Sequence, residues 1–210
     1  MDALSLFRQH IKISRQRAFK FIDRLIIILS LIVILTSLLW DFNYLQYKAP
    51  IEYENWKTIT LNDFRGLNRP FNTLDGGTKF AFVFTTIDVS QSRDRIVIKT
   101  FFHPCRSYVY NRNLFSEELL THELYHFHIA EYYARLMRKE VTHLSQFKTI
   151  NNLDELKDSI VYRENQLQYE YDDETYHGYV LGKQIEWQHK IDSCLLSLKD
   201  FSQTFISLKK

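Results

Sequence analysis

The sequence predicts an α+β protein: a single N-terminal transmembrane helix, then a small domain in which a short β-sheet packs on a helix bundle. Three observations carry this. Leu25–Trp40 (LIIILSLIVILTSLLW) is a run of sixteen residues without a charge. Lys79–Ile87 (KFAFVFTTI) and Arg95–Phe102 (RIVIKTFF) are β-branched and aromatic, as strands require. From Ser116 onward, capping signals and helical periodicity dominate.

Composition bounds the remainder. The chain has 210 residues, 45% hydrophobic and 25% charged, which suits a folded protein and argues against disorder. A formal net charge of +2 provides no overall field to attract nucleic acid, and no nucleic-acid partner is expected. The positive charge is concentrated early, in Arg8, Lys12, Arg15, Arg17, Lys20 and Arg24.

At about 1.5 Å per residue, a helix over Leu25–Trp40 spans roughly 24 Å, slightly short of a hydrocarbon core. Phe19, Phe21 and Trp40 are placed to extend the match at the two interfaces. A cleaved signal peptide fits less well, because the apolar run is long and no small-x-small site follows it. A soluble core helix would show a polar face. The basic flank stays in the cytoplasm. The expected layout is a basic cytoplasmic segment (1–24), an inner-membrane anchor (25–41) touching lipid through 25–40, and a domain (42–210) on the extracytoplasmic, periplasmic side.

Few glycines and prolines interrupt the chain, and Gly66, Pro70, Gly76 and Gly77 mark one turn-rich stretch. Two strands follow, joined by a polar DVSQSRD connection. Ser116 is a candidate N-cap, with Glu117 and Glu118 in the first turn and cations towards the other end near His143. A second helix is expected over roughly 153–168. A third, from about Leu181, carries Trp187, Ile191, Cys194, Leu198, Phe201 and Phe205 as one apolar stripe for core packing. Cys105 and Cys194 lack metal-ligand spacing, and Cys194, on that stripe, reads as a buried thiol rather than half of a disulfide.

His-Glu-Leu-Tyr-His at 122–126 carries the chemistry. On a helix, His122 and His126 differ by one turn and only about 40° of rotation, so both imidazoles reach one cation. Neutral imidazoles suit Zn²⁺, which in catalytic sites takes three protein ligands and keeps a position for water. Glu123, rotated about 100° from His122, can reach that water as general base and pass the proton to a leaving amine.

The third ligand must come from elsewhere. Glu131 is rotated about 140° from His126 and faces away. His128 points off the ligand face, and His143 is too distant along the helix. His177, in Tyr-Asp-Asp-Glu-Thr-Tyr-His-Gly at 171–178, is the downstream candidate. The first helix leaves the metal for about 26 Å and a return helix of similar length brings 170–178 back. Gly178 allows a sharp turn there. Asp173 and Glu174 remain alternative ligands. Tyr171 or Tyr176 is a candidate donor to a developing oxyanion.

Leu119–Lys139 (LLTHELYHFHIAEYYARLMRK) resembles the signature helix of a bacterial family described as predicted secreted zinc-dependent proteases, a domain of unknown function. Ile59–Gly66 (ITLNDFRG) resembles that family's opening motif, and Phe101–Val109 (FFHPCRSYV) its F-x-P-x-x-S-W-V strand. Tyr171–Gly178 resembles its Y-D-x-E-T-x-H-G block, followed here by Gln184 and Trp187. The likeness covers about residues 55–195. It implies a small zincin-like catalytic domain with His177 as third ligand, and structural roles for Glu131 and Arg135. His128 stands where that family has Asp, and Tyr108 where it has Trp.

The leading expectation is therefore a membrane-anchored zinc metalloprotease acting on a peptide or protein. The alternatives are a non-catalytic scaffold domain with a structural zinc site, and a metal hydrolase acting on another amide such as cell-wall peptide.

Overall fold

The computed structural model describes residues 20–38, 47–67, 81–110, 112–114, 116–146 and 152–208. Most of the basic N-terminal segment, Trp40 with the connector to residue 46, and the turn-rich stretch around Pro70, Gly76 and Gly77 lie outside these residues. The architecture is mixed helix and sheet, as the sequence predicts.

Helix α1 (Lys20–Leu38) is long and apolar enough to cross a membrane, and all its described residues are exposed. It begins five residues before the uncharged run and takes in Arg24. The domain sheet is antiparallel and centred on β4 (Arg95–Phe102). Strand β3 (Thr85–Gln91) covers one edge of β4 from Thr85↔Phe102 to Gln91↔Ile96. Two short strands share the other edge. β1 (Ile51–Glu52) pairs at Phe101 and Phe102, and β6 (Phe205–Ser207) pairs at Arg95, Ile96 and Val97. A separate ribbon joins β2 (Ala81–Phe82) to β5 (Tyr108–Val109). The expected first strand is thus interrupted at Val83–Phe84. The expected connection is shorter, because Asp88–Gln91 pair in β3 and leave a tight turn over 92–94. Ser92 closes that turn, its N–H donating to the Arg95 carbonyl.

Helix α2 (Glu117–Gln146) is the spine of the domain. Ser116 caps it, its Oγ accepting from the Leu119 N–H at 3.2 Å. Its thirty residues reach about 45 Å and pack on three sides. Phe127 joins Phe64, Val83 and Phe102 in one cluster. Ala134, Met137 and Val141 lie against Ile87, Ile96 and Ile98 of the sheet. Ile129 meets Tyr171, Trp187 and Ile191 from the two following helices. Alternation in β4 turns Ile96, Ile98, Thr100 and Phe102 inward, which is the period-two pattern of a sheet covered on that face.

A helix buried on several sides still carries charge, and it is compensated locally. Glu131 accepts from Arg135 Nε at 2.9 Å, from Arg138 Nη1 at 2.8 Å and from Thr100 Oγ1 at 2.8 Å. Arg138 also donates to the Ile98 and Phe201 carbonyls, and Arg135 to that of Leu195. The acid that rotation removed from the ligand set is thus the hub tying α2 to β4 and to the C-terminal segment.

Helix α3 (Leu153–Thr175) starts at an Asn152 cap and runs seven residues beyond its expected end. It stops where Tyr176, His177 and Gly178 all take positive φ. Helix α4 (Leu181–Ser197) buries Trp187, Ile191 and Leu195, while Cys194 is only partly buried. The apolar stripe ends with that helix, and a 3₁₀ turn (Lys199–Phe201) follows it. Phe205 leaves the stripe, because it lies in β6 with its side chain exposed. Both cysteines are free thiols.

Candidate metal centre

The site forms where α2 passes the C-terminal end of α3. His122 is 1% exposed and Glu123 4%, so both sit inside the domain wall. The His122 ring stacks on Tyr171 at 4.6 Å and 18°, and the His126 ring meets the same tyrosine edge-on at 5.0 Å. Tyr171 therefore serves as the floor that orients both imidazoles. Its hydroxyl donates to the His122 carbonyl at 3.4 Å and its ring is fully buried, a placement that supports packing rather than oxyanion donation. Tyr176 is 64% exposed against Tyr179.

The convergent acid is Asp172. Its Oδ1 lies 3.2 Å from His122 Nε2 and 2.9 Å from His126 Nε2. Donor atoms of these three residues all fall within 4.8 Å of one another. Both His–Asp contacts are hydrogen bonds in this structure, and ligands of a tetrahedral zinc, roughly 3.3 Å apart, would need only a small separation of the same atoms. His177 Nδ1 approaches the same Oδ1 at 3.3 Å, delivered by the left-handed corner after α3. The return path expected of α3 thus brings the 171–178 segment to the histidines. Of the alternative acids, Glu174 accepts from Trp187 Nε1 at 2.9 Å and is turned towards α4. Asp172 falls outside the ligand set expected from the sequence, because the expected second helix stops near Gln168 and α3 runs on to Thr175.

The electrostatics follow from burial and this one carboxylate. Burial lowers His122 to about 4, against the opposing hydrogen bond that its Nε2 donates to Asp172. Burial also acts downward on His126, but the Asp172 charge, Glu123 and the Gln168 hydrogen bond outweigh it and lift His126 to about 9. Desolvation opposes ionisation of Asp172, yet His126 and His122 hold its carboxyl well below the usual range. Asp172 and His126 thus form a carboxylate–imidazolium pair, in which a bound cation would take the place of the His126 proton.

A second layer orients His126. Gln168 Nε2 donates to the His126 carbonyl at 3.0 Å and to Glu164 Oε1 at 2.8 Å. Its Oε1 must then accept, and it lies 2.5 Å from His126 Nδ1. That places a proton on Nδ1, while Nε2 donates to Asp172; a histidine held this way through Nδ1 could ligate a metal once Nε2 gives up its proton. On the other side, Gly178 packs so close that an added Cβ would stand 3.0 Å from His122 Cγ.

Glu123, His126, Asp172 and His177 line one end of a cleft of about 480 Å³. Its walls are the Ala81–Ile87 segment and the α3 face from Lys157 to Asp172. Among the described residues, the outer edge of β3 beside this cleft pairs with no strand. No family model, curated protein or solved structure matches the chain.

Proposed function

We propose that this chain is a membrane-anchored, zinc-dependent metallohydrolase of zincin-like type that cleaves peptide bonds on the extracytoplasmic side of the membrane. The observation that carries the reading is the convergence of His122, His126 and Asp172 beside Glu123, in the wall of an open cleft. His122 and His126 supply Nε2 donors, and the α3–α4 corner supplies the third donor. Asp172 is the converged candidate there, and His177 stands against it. Imidazole and carboxylate donors suit zinc among the common divalent ions.

When bound, zinc would polarise the scissile carbonyl as a Lewis acid and lower the pKa of water. Glu123 is the general base, taking a proton from the attacking water and delivering it to the leaving amine. Alternate residues of β3 turn their N–H and C=O groups away from β4. An extended peptide can pair there and carry its scissile bond to Glu123. The exposed apolar α1 supports anchorage to a membrane.

The test is metal content and proteolysis of unfolded casein by the full chain in detergent micelles. About one equivalent of zinc is expected in the wild type, lost in His126→Ala. Glu123→Ala should keep the metal and lose cleavage. A wild type that takes up no metal ends this reading.

A second reading has its own support. His177 stands 3.3 Å from Asp172, beside the three residues whose donor atoms converge, and a fourth protein ligand would be the mark of a structural zinc. A stoichiometric zinc with no hydrolysis, and unfolding on chelation, would favour that scaffold role.

A further inference from the structure

Two side-chain atoms among the described residues are buried without a hydrogen-bond partner: His122 Nδ1 and Gln184 Oε1. While His122 Nε2 donates to Asp172, its Nδ1 is an acceptor like the amide oxygen; once Nε2 binds a metal ion the proton stands on Nδ1, and the two become complementary. They are also neighbours. The position of a Cβ on Gly178 would lie 3.0 Å from His122 Cγ and 3.2 Å from Gln184 Oε1, so ring and amide meet over the same glycine. The amide cannot turn round profitably, because Gln184 Nε2 donates to the Glu118 carbonyl at 3.0 Å. Buried polar groups left unpaired are destabilising, a penalty that the Nδ1–H tautomer of His122 and a small ring movement would remove.

We propose that Gln184 is the positioning residue of His122: its Oε1 accepts the Nδ1–H of His122 when Nε2 holds a metal ion. Gln184, from α4, then does for His122 what Gln168, from α3, does for His126. Each histidine of the pair is held in one tautomer by a glutamine from a different helix, and Gly178 provides the space for the second contact. The inference rests on the metal-site reading but not on proteolysis.

The experiment compares the full chain with Gln184→Leu, which keeps the volume and removes the acceptor. Zinc affinity is read by competition with a chromophoric chelator, and the rise in Tm on zinc loading is read beside it. That rise is taken against each variant's own metal-free form, which cancels a purely structural loss. Weakening of about 10- to 100-fold is expected for Gln184→Leu, with a smaller rise in Tm. Long-range ¹H–¹⁵N spectra of the zinc-loaded wild type should show His122 protonated at Nδ1, with a slowly exchanging proton. Equal affinities overturn the assignment, and so, even if Gln184→Leu fails to fold, do wild-type spectra in which His122 coordinates through Nδ1. A wild type that takes up no zinc removes the metal reading and this inference together. A wild type that binds zinc with unchanged affinity in Gln184→Leu removes only this one.

Discussion

Gly178 shows how tightly single residues constrain the site. Its φ is +84° and a Cβ there would meet the His122 ring at 3.0 Å. Gly178→Ala therefore combines backbone strain with a steric push on a candidate ligand. We expect it to cost about 1–3 kcal/mol, seen as a lower Tm, and to weaken zinc uptake. Unchanged values for both would mean that the corner can relax away from His122. His103 carries a different consequence. Burial holds it below its ordinary value, with Asp88 opposing and Arg106 assisting, and Thr86 Oγ1 lies 2.9 Å from its Nε2. A lowered pKa in the fold means that the unfolded chain protonates first. Its contribution is complete above about pH 6.5 and is lost as acid protonates the native state. Melting at pH 7.5 and 5.5 should show a smaller acid loss in His103→Gln than in the wild type. Three site residues, His122, Glu123 and His126, were legible from spacing alone, because helical rotation is a local property. Asp172 was not, because its role depends on where α3 ends.

Among the elements, α2 and α3 decide most. The Glu131 hub has Arg138 only 1% exposed and joins α2 to β4 through Thr100 and the Ile98 carbonyl. Removing the carboxylate charge leaves a buried guanidinium uncompensated. Glu131→Gln should cost roughly 3–5 kcal/mol in chemical denaturation. A loss under 1 kcal/mol would mean that backbone carbonyls suffice for Arg138. Rotation alone set Glu131 aside as a ligand, whereas its structural role came first from the family resemblance. Its arginine partner one turn on is visible in the sequence, but Thr100 and Arg138 become its partners only when β4 lies on α2. The long α3 needed the left-handed stop at Tyr176–Gly178, and only Gly178 announced it. Phe205 illustrates the opposite error. Its spacing continued the α4 stripe, yet pairing with Val97 drew it into β6, because strand pairing is a long-range choice that periodicity does not contain.

At the scale of the whole molecule, the described residues form one exposed apolar helix and a domain organised around α2. If α1 anchors the chain, membranes washed with high salt or carbonate should retain it and detergent should release it. N-terminal sequencing of the membrane-bound protein should begin before residue 25. A start beyond residue 41 would identify a cleaved signal instead. The uncharged run, the two histidines one turn apart with a glutamate between them, the two long strands and the helices are local patterns in 3.6- and two-residue periods, whereas the short strands β1, β5 and β6 are not. Those local patterns could be read directly from residue order. Which acid joins those histidines, which glutamine backs each of them, and which strand edge faces the cleft depend on contacts between segments far apart in the chain. His126 and Asp172 are 46 residues apart yet within 2.9 Å. Only the closing of α3 and α4 onto α2, driven by burial of Tyr171, Trp187 and Ile191, sets that distance.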